Sequence, residues 1–503
     1  MPYIIGLHSA ASAFLSAGFA TQFTVAVVIC LIIVLVTSSL KEDELEAPKS
    51  LPGLQFLSII PFFRQRHDFL NWGFHVTGQS MFQFKLMSHT VIVLSGTPAR
   101  RAFFYAKGFD LTEGFKILSG AIPMVRGVTS GLQTKRISTI HKRLAAVQKN
   151  APLSDLIPAI LADSRRILES FGSTGTFDPF EKIYELIFQT TVRSLSSSEI
   201  ADDSALVSRM KTLYDRLDTG TTPATVLTPW IPTPAMIKKL WATKEIYDIV
   251  VRAMNAREAS GISRKDTLQM LIDSGDDKLA VVGFIMGLLI AGARATGTTA
   301  SWIITFLGGH QTWRQKAKAE AEALLAAQSD PTSSTSISAR LAEIPLETWE
   351  SQTPVLDAII RETLRVAQPH TAMRRNLGPE MYINDKLIPS GAYVVYPFSD
   401  VHLDPEIYPD PWRFDPSRKE VSKVDLGYVG WGVGKTNCLG TRLAKVELKL
   451  TTALFLLGFD HIVVDKTGEA PDPLPKPNWN DILMCRPAPG TCYVKFKRTN
   501  LAL

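Results

Sequence analysis

The amino-acid sequence predicts a mainly α-helical body with small β-sheets at its margin, preceded by one N-terminal transmembrane helix. Three observations carry this. Long segments repeat apolar residues with the helical period. Short β-rich runs ("TVIVLSG", "GAYVVYPF", "CYVKFKR") are confined to the N-terminal part and to the chain after residue 370. Near the N-terminus an almost wholly apolar run, with no Asp, Glu, Lys or Arg before Lys41, stands apart from everything that follows.

That run, "FTVAVVICLIIVLV" from Phe23 to Val36, extends through Ala20 and Leu40 and is long enough to cross a bilayer. It lacks a basic leader and starts too far in for a cleaved signal, so residues 1–40 read as a retained anchor. Lys41 and Lys49 follow the run and no Lys or Arg precedes it, which orients the C-terminal bulk toward the cytosol. Residues 41–53 form a linker in which Pro48, Pro52 and Gly53 stop the helix. Residues 54–503 read as one large folded domain.

Within that domain, amphipathic helices are expected at Leu153–Phe171, Phe180–Leu195, Ala205–Leu217, Ala235–Ala256 and Arg314–Ala327. The stretch "GTTPATVLTPWIPTP" forbids a long helix through Pro223, Pro229, Pro232 and Pro234, and "QSDPTSSTS" at Gln328–Ser336 reads as an exposed loop. The segment Leu279–Gly309 carries a single charge, Arg294. Its length suits a second membrane span, but Arg294 with Thr296, Thr298, Thr299 and Thr305 would cost several kcal/mol in lipid. A core helix covered on all faces is the expectation. Its Gly292–Thr299 stretch marks a place where something other than side chains packs against it.

The net charge of +6 is mild and the 54 Lys and Arg are spread along the 503 residues, which argues against a nucleic-acid role. Cys30, Cys438, Cys485 and Cys492 have neither zinc-type spacing nor disulfide density, as expected in a reducing compartment.

The chemistry sits in the last third. Just upstream of "LDAIIRETLRVAQP", Thr353 and Pro354 supply an N-cap and a first-turn proline, and within it Glu362 and Arg365 share a helical face. Alone, such a pair is an exposed salt bridge of little worth. Downstream, however, come "YPDPWRFDPSRK", the glycine-flanked cysteine of "GWGVGKTNCLG", and the apolar helix "LAKVELKLTTALFLLGF".

These ordered segments, across residues 280–460, resemble the haem-thiolate oxygenases, the cytochromes P-450, and the N-terminus resembles their microsomal eukaryotic members. The resemblance implies the α-rich cytochrome P-450 fold for the haem-thiolate catalytic domain, with Cys438 as axial ligand to the iron of haem b. Glu362, Arg365 and Arg418, the last from Pro416-Ser417-Arg418-Lys419, would form a buried ion network. The residues agree with that reading. A cysteine thiolate pushes electron density onto haem iron, and Gly432, Gly434 and Gly440 let a backbone turn tightly against a flat macrocycle. Amides at the start of the following helix would favour negative charge on sulfur. Trp431 stands where the family usually has Phe and can serve as the same shield.

Two departures matter. Thr436 occupies the position where the family usually has Arg or His for a haem propionate, so that charge is expected from Arg374 or Arg375, or from Lys135, Arg136 or Arg143. The oxygen-activating motif aligns with Ala291–Thr296, so Arg294 replaces its acid and Ala295 its first threonine. Gly292 and Thr296 are then the candidates that border the oxygen pocket, although Thr296 is one position on and about 100° further round the helix.

The resemblance implies a monooxygenase of the endoplasmic reticulum membrane, single-pass, with its catalytic domain in the cytosol. It would hydroxylate or epoxidise a small lipophilic substrate with electrons from an NADPH-cytochrome reductase carrying FAD and FMN. The style resembles fungal members that tailor terpenoid or polyketide secondary metabolites. The alternative is a haem-thiolate isomerase or dehydratase without external electrons, for which Ala295 is the best support. Lys435, Arg442, Lys445 and Lys449 could offer a reductase a basic face, and solvated helix charges explain them equally well. Pocket walls are expected at Gly114–Val128, the stretch after Gly220, Leu288–Ala295, Pro369–Ala372 and near Pro487.

Overall fold

A computed structural model describes residue 46 onward apart from residues 54, 115–133, 329–334, 419–423 and 500–502, together with residues 18, 22, 24 and 25. The expected anchor, save those last four positions, lies outside the described residues, as do Cys30, Lys419 and residues 115–128 of the expected pocket wall. The side chains of Lys135 and Arg136 lie outside them as well.

Small sheets flank a helical body. The largest places β1 (Lys49–Ser50), β2 (Met81–Leu86), β3 (His89–Leu94), β9 (Tyr393–Pro397), β6 (Thr371–Asn376) and β4 (Phe109–Asp110) side by side in that order. Its β9 runs parallel to β3 and antiparallel to β6, with Arg374 opposite Val394. A second sheet has β11 (Tyr493–Arg498) between β10 (Phe459–Val464) and β5 (Thr174–Phe177), and β7 (Met381–Ile383) pairs with β8 (Lys386–Ile388).

The helices that position the site are α1 (Thr97–Tyr105), α2 (Thr134–Val147), α3 (Asn150–Glu169), α4 (Pro179–Leu195), α5 (Ser204–Thr219), α6 (Pro234–Ser260), α7 (Lys278–Gly309), α8 (Gln311–Gln328), α9 (Pro354–Val366) and α10 (Thr441–Gly458). Side-chain caps set several starts: Asp178, Asp203, Thr233 and Asp277 each accept a backbone N–H from the first turn of α4, α5, α6 and α7. The proline-rich stretch between α5 and α6 still makes one short helix, Pro223–Leu227, closed by a Thr222/Thr225 capping box.

Helix α7 is a core helix as expected, with most of its apolar side chains in the main hydrophobic cluster, but it is not covered on all faces, because Ala291 and Ala295 are exposed. It packs most extensively against α4. Gly297 permits that approach, because a Cβ there would lie 2.6 Å from a ring carbon of Tyr184.

One expected cap is corrected. The Thr353 hydroxyl donates back to the Trp349 carbonyl at 2.8 Å and does not cap α9. The first amides of α9, on Val355 and Leu356, donate to the two carboxylate oxygens of Glu320 on α8 at 2.7 and 2.9 Å. A carboxylate at a helix N-terminus meets both the free donors and the dipole, and it lies 35 residues upstream of Val355, beyond the reach of a local pattern.

Burial pushes the Glu447 carboxyl of α10 up to about 7. Its oxygen lies 2.8 Å from the Ser194 hydroxyl, which is also 2.8 Å from the Thr190 carbonyl. One hydroxyl proton serves only one acceptor, so the pair closes best with Glu447 protonated and donating to Ser194. The folded-state value exceeds the ordinary 4.5, so the contribution to stability is fully present below about 4.5 and is lost as pH rises through about 7. Glu447→Gln is therefore expected to melt like wild type near pH 4.5 and to be more stable by about 3 kcal/mol at pH 8. Denaturant melts at the two pH values check this, and a constant difference between them would refute it.

Candidate functional site

The cysteine loop is built from tight backbone turns. Gly432 N–H donates to the Val429 carbonyl at 2.8 Å, and Thr436 and Asn437 close the short 3-10 turn Gly434–Thr436. Gly432 has φ +73°, and a Cβ there would sit 2.4 Å from the Thr436 carbonyl oxygen, so only glycine fits. The Cys438 N–H donates to the Trp431 carbonyl at 2.6 Å, and the Trp431 side chain packs against the main core. Cys438 itself is exposed, whereas Cys485 and Cys492 are buried. Gly440 is the N-cap of α10, two residues after Cys438.

Gln148, at the C-terminal end of α2, fastens this loop and was not singled out in the sequence. Its amide nitrogen donates to the Leu439 carbonyl at 2.7 Å and its oxygen accepts the Leu443 N–H at 3.1 Å. Nothing in the local pattern distinguishes it.

A buried ion network anchors the approach to the loop. Arg365 makes a two-pronged pair with Glu362, at 2.8 and 2.7 Å, and donates to the carbonyls of His402 and Pro411. Arg418 Nε lies 3.2 Å from the same carboxylate, and its remaining N–H groups donate to the carbonyls of Pro409, Asp410 and Arg413. From this network two contacts reach the loop. His402 Nε2 accepts the Val429 N–H at 3.1 Å, and the Tyr408 hydroxyl donates to the Gly427 carbonyl at 2.8 Å. Burial, with Arg365 nearby, holds His402 well below the usual imidazole range, so it stays a neutral acceptor.

The cationic candidates separate cleanly. Arg143 is committed to Asp276 at 2.7 Å, and Arg375 is half-exposed beside Glu113. Arg374 differs. It is 3% exposed, lies over the Phe103 ring at 4.8 Å, donates one N–H to the Met373 carbonyl, and has no carboxylate partner among the described residues. Burial lowers it to about 10, and Asp110 offsets this only in part. Phe103 belongs to the cluster against which Val433 of the cysteine loop packs, which ties Arg374 to that side of the molecule. Thr436 spends its hydroxyl on the Val433 carbonyl at 3.0 Å.

Of the two readings of Lys435, Arg442, Lys445 and Lys449, a basic face or solvated helix charges, neither holds for all four. Lys449 is 2% exposed and binds the Trp349 carbonyl and Asp357, Lys445 also pairs with Asp357, and Arg442 pairs with Glu350. Two carboxylates distant in sequence pair with three of the four, Asp357 being shared by Lys445 and Lys449, and Lys435 alone of them is exposed.

In the middle of α7, between buried turns, Ala291 and Ala295 are exposed and Gly292 is half-exposed at the edge, with its missing Cβ toward Thr191 and Leu195 of α4. At 100° per residue, Ala291, Arg294, Ala295 and Thr298 share an arc of about 100°, and Thr296 lies about 140° from Ala291. Thr296 is buried off this open stripe, so the rotation disfavours its expected place at the pocket. Arg294 forms an ion pair with Asp218 at the end of α5, a partner without any sequence signal.

Comparison with known proteins follows the same lines. The cytochrome P450 family model matches residues 48–492. Cytochrome P450 monooxygenase AacuE of Aspergillus aculeatus is 28% identical over 424 residues, covering 81% of this chain and 84% of that protein. Cytochrome P450 monooxygenase dmxR5 of Cryptosporiopsis is 28% identical over 82% of each chain. Human lanosterol 14-alpha demethylase is 28% identical over 80% of this chain and 79% of its own. Among solved structures, retinoic acid bound cyanobacterial CYP120A1 superimposes with a TM-score of 0.71 at 21% identity, covering 91% of this chain and all of that one. That likeness concerns the fold alone.

Proposed function

Because the chain belongs to the cytochrome P450 family, we propose that it is a membrane-anchored monooxygenase inserting one oxygen atom into a small lipophilic substrate. Electrons would come from an NADPH-dependent flavoprotein reductase, and the pathway would be fungal secondary metabolism. The observation that carries the reading is Cys438. Among the described cysteines it alone is exposed, on a glycine-shaped loop fastened to the buried Glu362–Arg365–Arg418 network.

The residues fit haem b. Cys438 Sγ would hold the iron, with Trp431 as the aromatic shield and Gly432, Gly434 and Gly440 allowing close approach. Arg374 would meet a propionate, because a buried guanidinium without a carboxylate is costly until an anion arrives. When bound, haem activates dioxygen for insertion of one oxygen atom and release of the other as water. Ala291 and Ala295 would face the substrate side, keeping it apolar and dry, with Gly292 at the edge. The sterol in the name of a similar protein favours a lipophilic substrate. Residues 1–40 would anchor the protein in the endoplasmic reticulum, with 41–53 as linker and 54–503 as cytosolic catalytic domain.

One observation favours a second reading, a haem-thiolate isomerase acting without external electrons: the exposed face at residue 295 presents a methyl group and no hydroxyl. The two separate in one assay. Product from a lipophilic probe that requires NADPH, reductase and dioxygen together is the expected result. Rearrangement of a fatty-acid hydroperoxide in their absence, with no NADPH-dependent product, would replace the monooxygenase by the isomerase.

A further inference from the structure

Oxygen insertion has a fixed stoichiometry: RH + O2 + NADPH + H+ gives ROH + H2O + NADP+. On the monooxygenase reading, two electrons arrive through the reductase, and two protons must reach the oxygen site beside α7. That helix contains no Asp or Glu over its whole length, and its position 295, on the open stripe, has no hydroxyl. The groups that deliver protons must therefore stand at other positions.

The structure supplies a polar edge to the apolar stripe. Asp218, at the end of α5, is the carboxylate in direct contact with the middle of α7, through its ion pair with Arg294. Both side chains are partly accessible, 19% and 21%, so the pair spans from interior to solvent. Tyr184, Asp215 and Asp481 also face Arg294. Of these, Tyr184 is pushed up to about 12 by burial and stays protonated, Asp215 is paired with Lys211 at 2.9 Å, and Asp481 accepts the backbone amides of Leu483, Met484 and Arg486. Asp218 alone of these carboxylates touches α7.

One turn beyond Arg294, about 6 Å along the axis and on the same face, stands Thr298. Its hydroxyl is buried and lacks a partner, and so does Arg294 Nε. The neighbouring hydroxyls are committed: Thr299 donates to the Ala295 carbonyl, and Ser301 and Thr305 bond within the helix or to Pro179. A buried hydroxyl left without a partner costs roughly 1–3 kcal/mol, and such an atom beside the open stripe calls for an explanation.

Resting on the monooxygenase reading above, we propose that Asp218, Arg294 and Thr298 form the proton-entry track. Asp218 takes the part of the acid absent from position 294, and Thr298 that of the hydroxyl absent from position 295. Asp218 is reprotonated from solvent and releases its proton inward along the Arg294 face. Thr298 Oγ1 gives up one proton and recovers one from that side. Both protons consumed end in the water that leaves. Arg294 moves no proton and acts by holding Asp218 against α7.

The test uses the full-length haem-loaded protein, with 7-ethoxycoumarin as probe and two ways of driving it. Reductase with NADPH requires both protons from the protein, whereas cumene hydroperoxide brings oxygen, electrons and protons together. Asp218→Asn and Thr298→Val are expected to lose NADPH-driven product on the order of 100-fold and to raise the D2O solvent isotope effect. Hydroperoxide-driven product and the probe's spectral dissociation constant should stay within about twofold. Thr298→Ser should recover most of the NADPH-driven rate, and Thr298→Val should melt no lower than wild type, since it removes an unpartnered hydroxyl. Equal loss in both assays would make the residues merely structural and overturn the proposal, as would unchanged NADPH-driven turnover in either variant. If wild type itself needs no NADPH, the monooxygenase reading falls and takes this one with it.

Discussion

Cys438→Ser is expected to abolish the strongly red-shifted Soret band of the reduced, carbon-monoxide-bound protein and all NADPH-driven turnover. That band reports a thiolate on the iron, and no other described cysteine can supply one. Cys485 is fully buried, with its thiol pushed well up by burial, and Cys492 is buried, pushed up to about 12, and beside the Thr305 hydroxyl at 3.7 Å. Serine is nearly isosteric, and the loop is held by bonds that do not involve sulfur: the Cys438 N–H to Trp431, the Thr441 hydroxyl to the Cys438 carbonyl, and the Gln148 clamp. The apoprotein of the variant should therefore melt close to the wild-type apoprotein. A surviving red-shifted band in Cys438→Ser would mean that the iron is held from somewhere else, and the functional reading would fail.

That experiment rests on a residue legible from sequence, and the reason is physical. Helical periods, glycine spacing and the Glu362/Arg365 interval are local properties that one stretch of chain declares by itself. Partners brought together by folding make no such declaration. Nothing near Arg294 announces Asp218, 76 residues upstream, and nothing near α9 announces that Glu320 would displace Thr353 as its cap. The basic residues of α10 can be read as a cationic face because Glu350 and Asp357, which pair with them, lie 92 residues away from Arg442 and Lys449. The rotation that removes Thr296 from the open stripe was calculable at once. Which face of α7 is open was not, because a helix apolar on nearly every side has no polar face to show which way it turns.

The second large effect is expected at Glu362. Its carboxylate accepts two N–H groups of the buried Arg365, Nε of the partly buried Arg418 and the backbone N–H of Asp415. Truncation in Glu362→Ala leaves two guanidinium groups facing each other without a counter-charge, which costs roughly 3–5 kcal/mol for a buried pair. Glu362→Gln keeps the shape and one acceptor, so its cost should be smaller while the charge is still lost. The damage should travel along a defined route. Arg365 also holds the carbonyls of His402 and Pro411, and His402 carries the Val429 amide at the entrance to the cysteine loop. Glu362→Ala is therefore expected to lower Tm and to lose bound haem in parallel, with Glu362→Gln intermediate in both. Arg365→Lys should resemble the alanine variant, because an ammonium cannot reproduce the planar fork that spans carboxylate and carbonyls together. Haem content by absorbance, set against thermal melts of the same preparations, checks the link. Full haem occupancy in Glu362→Ala with an unchanged Tm would show that the loop needs no such anchor and that the network is ornament to the site.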